Sequence, residues 1–436
     1  MTAGTRRAIR GRLLSFEADP ALAGAATAVR YVEDGLVVIE DGAITAVGPA
    51  DEVEVPPGVA LDRYGRGLIL PGLIDTHIHY PQTRVIASYG AQLLEWLQKY
   101  TFVEEQRLAD PAHAAAVAEF FLDELLRNGT TTAAVYCTVH PESVDAFFAA
   151  SHRRNLRMIA GKVMMDRGAP PGLLDTAERG YRESKELLGR WHGRGRQVYA
   201  ITPRFALTST AAQLDAAGAL LREHPDAYLQ THLAENHDEI ATARRLYPEA
   251  SSYTDIYDRF GLLGERSLFG HCIHLGEDEL ERLSATRSVA CFCPTSNLFI
   301  GSGLFDLAGL RDPARPVRVS LATDVGGGTS YSMLRTAAEA YKVLQLRHQN
   351  LPALQAFYLM TLGNARALSL EGRIGQLAPG VEADLVVLDA RATPAMAHRM
   401  DSVEGDLAEE LFVLMTLGDD RAVRATYVAG ERVTGT

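Results

Sequence analysis

The stretch DTHIHYPQ, residues 75–82, carries the first sign of chemistry in this chain. It follows an apolar run, GLILPGLI at 67–74, so His77 and His79 fall where a strand ends. Side chains two positions apart on a strand point to one side. Both imidazoles can therefore face one site. A single HxH is a weak signal, because histidines are also packed core or surface residues. The ends of other apolar runs strengthen it. QVYAIT (197–202) leads to Arg204, and AYLQTH (227–232) ends on His232, with Glu235 three residues later. SLFGHC (267–272) contains His271, and RVSLAT (318–323) leads to Asp324. Taken singly, His271 reads as a packed barrel histidine and Asp324 as a helix cap. Taken together, His77, His79, His232 and Asp324 are a set of N and O ligands that suits zinc or another divalent first-row metal. A position left open for water makes such a site catalytic rather than structural.

These residues need strands to hold them. Eight apolar, β-branched segments are strand candidates: 67–75, 131–137, 157–165, 197–202, 227–232, 267–272, 288–293 and 318–323. Helical stretches separate most of them. One is capped by Asp110, opened by Pro111 and closed by Gly129, and another is GEDELERLSATR at 276–287. The seventh-to-eighth link is glycine-rich and not clearly helical. Near-continuous apolar strands joined by helices indicate parallel strands buried on both faces. Eight such units make an α/β (β/α)8 TIM barrel, whose active site lies at the C-terminal ends of the strands. Both chain ends read as β structure, with LVVIEDGAITAVGP (36–49) turning at Asp-Gly, and ADLVVLD (383–389) and ATYVAGERV (425–433) near the other end. The expected organisation is residues 1–66 and 373–436 forming one small composite β-sandwich, around a barrel at 67–372.

Composition narrows the function classes. The chain has 436 residues and a net charge of −12, from 43 basic and 55 acidic side chains. That balance argues against a nucleic-acid or anionic-membrane surface. No run approaches the ~18 apolar residues of a membrane span, and Glu17 and Asp19 arrive too early for a signal peptide, so a cytoplasmic location is expected. The four cysteines, 137, 272, 291 and 293, form no CxxC pair, and CFC at 291–293 reads as buried strand residues. ATDVGGGTSY (322–331) lacks the GKS or GKT of a phosphate loop and reads as a close backbone turn beside Asp324.

An HxH on strand one, histidines on strands five and six and an aspartate on strand eight resemble the amidohydrolase superfamily. GRIGQLAPGVEADLVVLD (372–389) resembles its C-terminal segment. DTHIHYPQT, LLEWLQKYTF, TPRF, THLAEN and CPTSNLFIGSGLF resemble the guanine deaminase family within it, and the likeness spans nearly the whole chain. Binuclear members carry a carboxylated lysine, usually at the end of strand four. Strand four here runs into TPRF, and Lys162 on strand three reads as structural, which favours one metal. The HxE…PCxxC site of cytidine-type deaminases is missing.

The resemblance implies hydrolytic deamination of guanine to xanthine and ammonia. It implies one Zn2+ per subunit, with Fe2+ as the alternative, and a homodimer. A metal of this kind lowers the pKa of bound water to about 7. Asp324 would accept the water's proton, His271 would align the attacking oxygen, and Glu235 would protonate the ring nitrogen beside the attacked carbon. Arg204 has only donors and suits an acceptor such as purine O6. Gln82 is expected to contact the purine, Phe205 to stack on it, and His79, His232 and Glu235 to complete the substrate site. Trp96, in LLEWLQKYTF, belongs either to a packed helix or to the pocket border. The competing readings are a related enzyme acting on a triazine or pterin, and a barrel scaffold without catalysis. Intact ligands speak against the scaffold.

Overall fold

The computed structural model describes residues 6–90, 92–403 and 405–435, and the first five residues of the expected N-terminal segment lie outside it. Eight parallel strands run in chain order around a barrel: Leu73–His79, Thr130–Tyr136, Arg157–Gly161, Val198–Pro203, Tyr228–Leu233, Ser267–His271, Val289–Phe292 and Arg318–Leu321. A two-residue strand, Val163–Met164, pairs with the fourth. The interior is filled by Ile74, Ala134, Ile159, Ala200, Leu268, Val289, Cys291 and Cys293, among others. All four cysteines are free and buried, so CFC is barrel lining, as its apolar reading implies. Among the described residues, no helix is long and apolar enough to cross a membrane.

The two chain ends build a separate seven-stranded mixed sheet. It is one continuous hydrogen-bonded order, which sharpens the expected sandwich. Alternate residues feed two faces: Ile9, Val37 and Ile39 pack on one, Ala8, Leu36 and Val38 on the other. The Asp-Gly turn is present, with Asp41 and Gly42 at φ 52° and 81°, as a tight hairpin requires. Two strand expectations change. The segment at 425–433 is a hairpin, Val423–Val428 and Glu431–Gly435, turning at Ala429–Gly430. The N-terminal strand Arg6–Phe16 was not anticipated, because its arginines mask the alternation; Arg7, Arg10 and Arg12 find carboxylates in Asp62, Asp34 and Glu410.

The expected first strand, 67–75, is really two. Ala60–Pro71 belongs to the terminal sheet, pairing with Arg6–Phe16 and Leu385–Leu388. Leu73–His79 begins the barrel. Pro71 lacks an N–H for a continued ladder, and Gly72 packs so closely on Thr131 that a Cβ there would overlap its hydroxyl. The switch between sheets at 71–72 moves His77 and His79 from beyond the strand into its last turn of pleat.

The seam between the first and eighth strands is closed by individual contacts. Asp324 N–H donates to His77 O at 2.9 Å, and His79 N–H donates to Val325 O at 2.8 Å. Below them, the buried Asp75 carboxylate accepts from the Thr323 hydroxyl and backbone N–H. Asn364 accepts from Leu321 N–H at 2.8 Å and donates to Ile74 O at 2.7 Å, stitching both strands from the chain that follows the barrel. The seam joins the strand that carries two histidines to the one that leads into the aspartate.

Candidate active site

The C-terminal ends of the strands converge on one small pocket. His79, Gln82, Arg204, Phe205, His232, Glu235, His271 and Asp324 all line it. The connection after strand one contributes Leu93, Trp96 and Leu97, so Trp96 borders the pocket and is also packed. Around Trp96 that connection runs through three abutting helical pieces, Leu93–Trp96, Leu97–Thr101 and Phe102–Glu105.

Four residues at three chain turns aim the polar groups. Ala234, His271, Cys272 and Asp324 hold positive φ values of 51°, 72°, 52° and 51°, at the ends of strands five, six and eight. Non-glycine residues in this region cost of order 1–3 kcal/mol each, and here each redirects the chain as it leaves the barrel. The glycines after Asp324 allow the last turn: a Cβ on Gly328 would overlap the Thr323 carbonyl.

His77 Nε2 and His79 Nε2 are 3.3 Å apart. Asp324 Oδ1 lies 3.4 Å from the first and 3.3 Å from the second. His232 joins them, one donor atom from each of the three histidines falling within 4.8 Å of the others. Two atoms each 2.0–2.1 Å from one tetrahedral ion are roughly 3.4 Å apart, so the observed spacing suits a shared cation. The protonation pattern agrees. His232 Nδ1–H donates to the Arg204 carbonyl at 2.7 Å, which leaves the Nε2 lone pair free. The buried His77 Nδ1 has no hydrogen-bond partner. Burial, then repulsion by the neighbouring imidazoles, pushes His232 well below the usual histidine range, and burial takes His79 down to about 3. Both are neutral and able to donate electron pairs. Burial alone would raise the Asp324 carboxyl, but hydrogen bonding and attraction from His77, then His79, outweigh it and hold it well below its ordinary value.

His271 and Glu235 form the other wall. His271 Nδ1 donates to Asn297 Oδ1 at 2.8 Å, so its Nε2 faces Glu235 Oε2 at 3.4 Å and Asp324 Oδ2 at 3.7 Å. Glu235 Oε1 accepts from Ser302 Oγ at 2.8 Å. Its backbone N–H is held by the buried Glu239 carboxylate at 2.8 Å. Burial, then repulsion from Asp324, pushes the Glu235 carboxyl up to about 8. At neutral pH it carries a proton that it can release.

Two arrangements depart from the sequence reading, at Arg204 and at Cys293, whereas Lys162 keeps its structural reading. Arg204 is engaged: Nη1 donates to both oxygens of the buried Glu105, at 2.8 and 2.7 Å, while the side chain still lines the pocket. Cys293 reaches the cluster, its Sγ within 4.8 Å of ligand atoms of His77, His271 and Asp324. Burial, then the Asp324 charge, keeps it a neutral thiol, and it donates to Cys291 O. Lys162 is remote from this chemistry and pairs with Asp175. Glu105, Asn297 and Ser302 were missed. Asn297 and Ser302 sit within CPTSNLFIGSG, where residue type alone says nothing of a partner on strand five or six. Glu105 lies in a connection that reads as a packed helix.

The chain belongs to the amidohydrolase family, whose pattern it matches over residues 68–433. Within that class, it is 51% identical to guanine deaminase of Escherichia coli over 94% of this chain and 93% of the relative. The solved E. coli guanine deaminase superposes with a TM-score of 0.95 at 49% identity, covering 98% of this chain and 99% of that one. Guanine deaminase from C. acetobutylicum, solved with guanine in its active site, gives 0.87 at 25% identity, covering 98% and 100%. An atrazine chlorohydrolase from Arthrobacter aurescens TC1 gives 0.82 at 20% identity, over 98% and 95%, which is a likeness of fold alone.

Proposed function

We propose that this protein is a guanine aminohydrolase that converts guanine and water to xanthine and ammonia. One observation carries the reading: the His77, His79 and Asp324 cluster, the His271–Glu235 wall and the Arg204–Gln82 pair meet at one small pocket. Similarity to guanine deaminases over nearly the full chain supports the same substrate.

His77, His79, His232 and Asp324 would hold one divalent ion. When bound, that ion supplies the Lewis acidity that makes water a nucleophile near neutral pH. The residues do the rest. His271, its ring fixed by Asn297, presents Nε2 to the attacking water and aligns it. Asp324 takes up the water's proton. Glu235 gives its proton to the ring nitrogen beside C2, which draws electron density from that carbon as attack proceeds. The amino group then takes the proton held by Asp324 and leaves as ammonia, while the hydroxyl proton at C2 passes to Glu235 as the carbonyl forms. Gln82 and Arg204 bind the purine's polar edge, and Phe205, buried against the pocket, covers its face.

Two finer points belong to this proposal. The His–Asp donor set fits zinc and other divalent first-row ions alike, and zinc over iron rests on the family resemblance. A homodimer rests on the family resemblance. The test is guanine turnover, followed by xanthine formation and ammonia release, with elemental analysis of the metal. No xanthine from metal-loaded protein would refute the substrate. Turnover of a triazine or pterin in its place would return the choice to the wider family.

A further inference from the structure

The roles above make no use of Glu105. It is buried at the end of the helix Phe102–Glu105, and it does not itself line the pocket. It takes Arg204 Nη1 on both oxygens, and Oε1 also accepts from Gln82 Nε2 at 3.1 Å. The Gln82 Oε1 accepts from Gly326 N–H at 3.2 Å. A carboxylate only accepts and a backbone N–H only donates, so these two partners hold the Gln82 amide one way round. Phe102, on the same helical turn as Glu105, lies 5.3 Å from the Arg204 guanidinium carbon. One short helix therefore positions two side chains that arrive from different barrel strands.

We propose that Glu105 is the positioning and charge-balancing residue of the base-binding half of the pocket. It aims Arg204 and Gln82, and by cancelling the arginine's charge it makes the pocket select a neutral heterocycle over its anion. This rests on the guanine reading above. A guanidinium has five N–H donors, and Glu105 engages those on Nη1, leaving others for a purine acceptor. An unpaired buried guanidinium would instead seek an anion. The product supplies one. Xanthine has a ring N–H between two carbonyls and ionises more readily than guanine. A neutralised pocket holds that anion weakly, so the charge balance favours substrate over product.

The test is steady-state kinetics of metal-loaded wild type, E105Q and E105D, with xanthine as inhibitor at mildly alkaline pH. E105Q should raise KM for guanine at least ~10-fold, with a smaller fall in kcat, because a charged hydrogen-bond partner is lost. It should also lower the xanthine Ki itself, by at least ~10-fold. E105D keeps the charge and should keep product inhibition weak. An E105Q with unchanged KM, a loss confined to kcat, or xanthine no tighter than in the wild type overturns the proposal. Should E105Q not fold, wild type and E105D decide: a xanthine Ki above the guanine KM supports charge balance, and one below it in the wild type overturns it. A wild type inactive on guanine fails the substrate reading alone. Direct binding of guanine and xanthine to wild type and E105Q then judges the charge argument separately.

Discussion

Two buried ionisable clusters of this barrel behave oppositely. Lys162, on the strand-three side, pairs with Asp175, lies 3.5 Å from Glu183, and Asp175 also accepts from Gln213 at 2.8 Å. Each charge there meets its opposite within the chain. In the strand-one and strand-eight cluster, imidazole nitrogens and a carboxylate oxygen crowd within 3.3–3.4 Å of one another, with a third imidazole, His232, beside them. Both clusters are largely buried. The difference is whether the chain completes its own electrostatics or leaves them to a partner. A cluster in which opposite charges pair needs nothing further; one in which electron-pair donors converge invites a cation.

That contrast can be broken by experiment. Removing metal with a chelator should take guanine turnover to background, restored by added zinc. It should also lower thermal stability, since a ligand at 100 times its Kd stabilises the folded state by about 2.7 kcal/mol. An unchanged melting temperature in verified apoprotein would argue against the cluster as the ion's seat. Next in size, Glu235→Gln should retain metal and lose at least ~100-fold in kcat; retained turnover would remove Glu235 from proton transfer. Asn297→Ala frees the His271 ring without touching a ligand. Losing such an orienting partner typically costs ~10–100-fold, here read as kcat at constant metal content. The smallest effect on turnover should come from Lys162→Met. Breaking a buried pair from one side costs about 3–5 kcal/mol, seen as a fall in denaturant midpoint, while kcat/KM of the folded enzyme stays near wild type. A large kinetic defect at Lys162 would erase the distinction between the two clusters.

How legible all this is in the sequence depends on the range of the signal. The helix at Pro111–Arg127 is written locally: Asp110 caps it through Ala112 N–H, and Gly129 ends it with φ 78°. The barrel strands are short apolar runs and fall within a few residues of their expected places. The strand at 67–75 fails because its hydrophobicity is continuous across Pro71–Gly72 while its partners change from the terminal sheet to the barrel. Apolar content reports burial, and it does not report which sheet does the burying.

The residue types of the proposed ligands His77, His79, His232 and Asp324, their order along the chain and their positions at strand ends are properties of the sequence. They follow from period-two alternation and from the rule that a parallel barrel collects its strand ends on one face. Tertiary structure alone decides which neighbours orient those groups. Glu105 meets Arg204 across 99 residues, Asn297 meets His271 across 26, and Asp75 meets Thr323 across 248. A hydrogen bond requires two groups within about 3 Å, and residue type or periodicity does not encode that distance between distant segments. Chain folding sets it, and with it whether an arginine is free for substrate or already half engaged by a buried carboxylate.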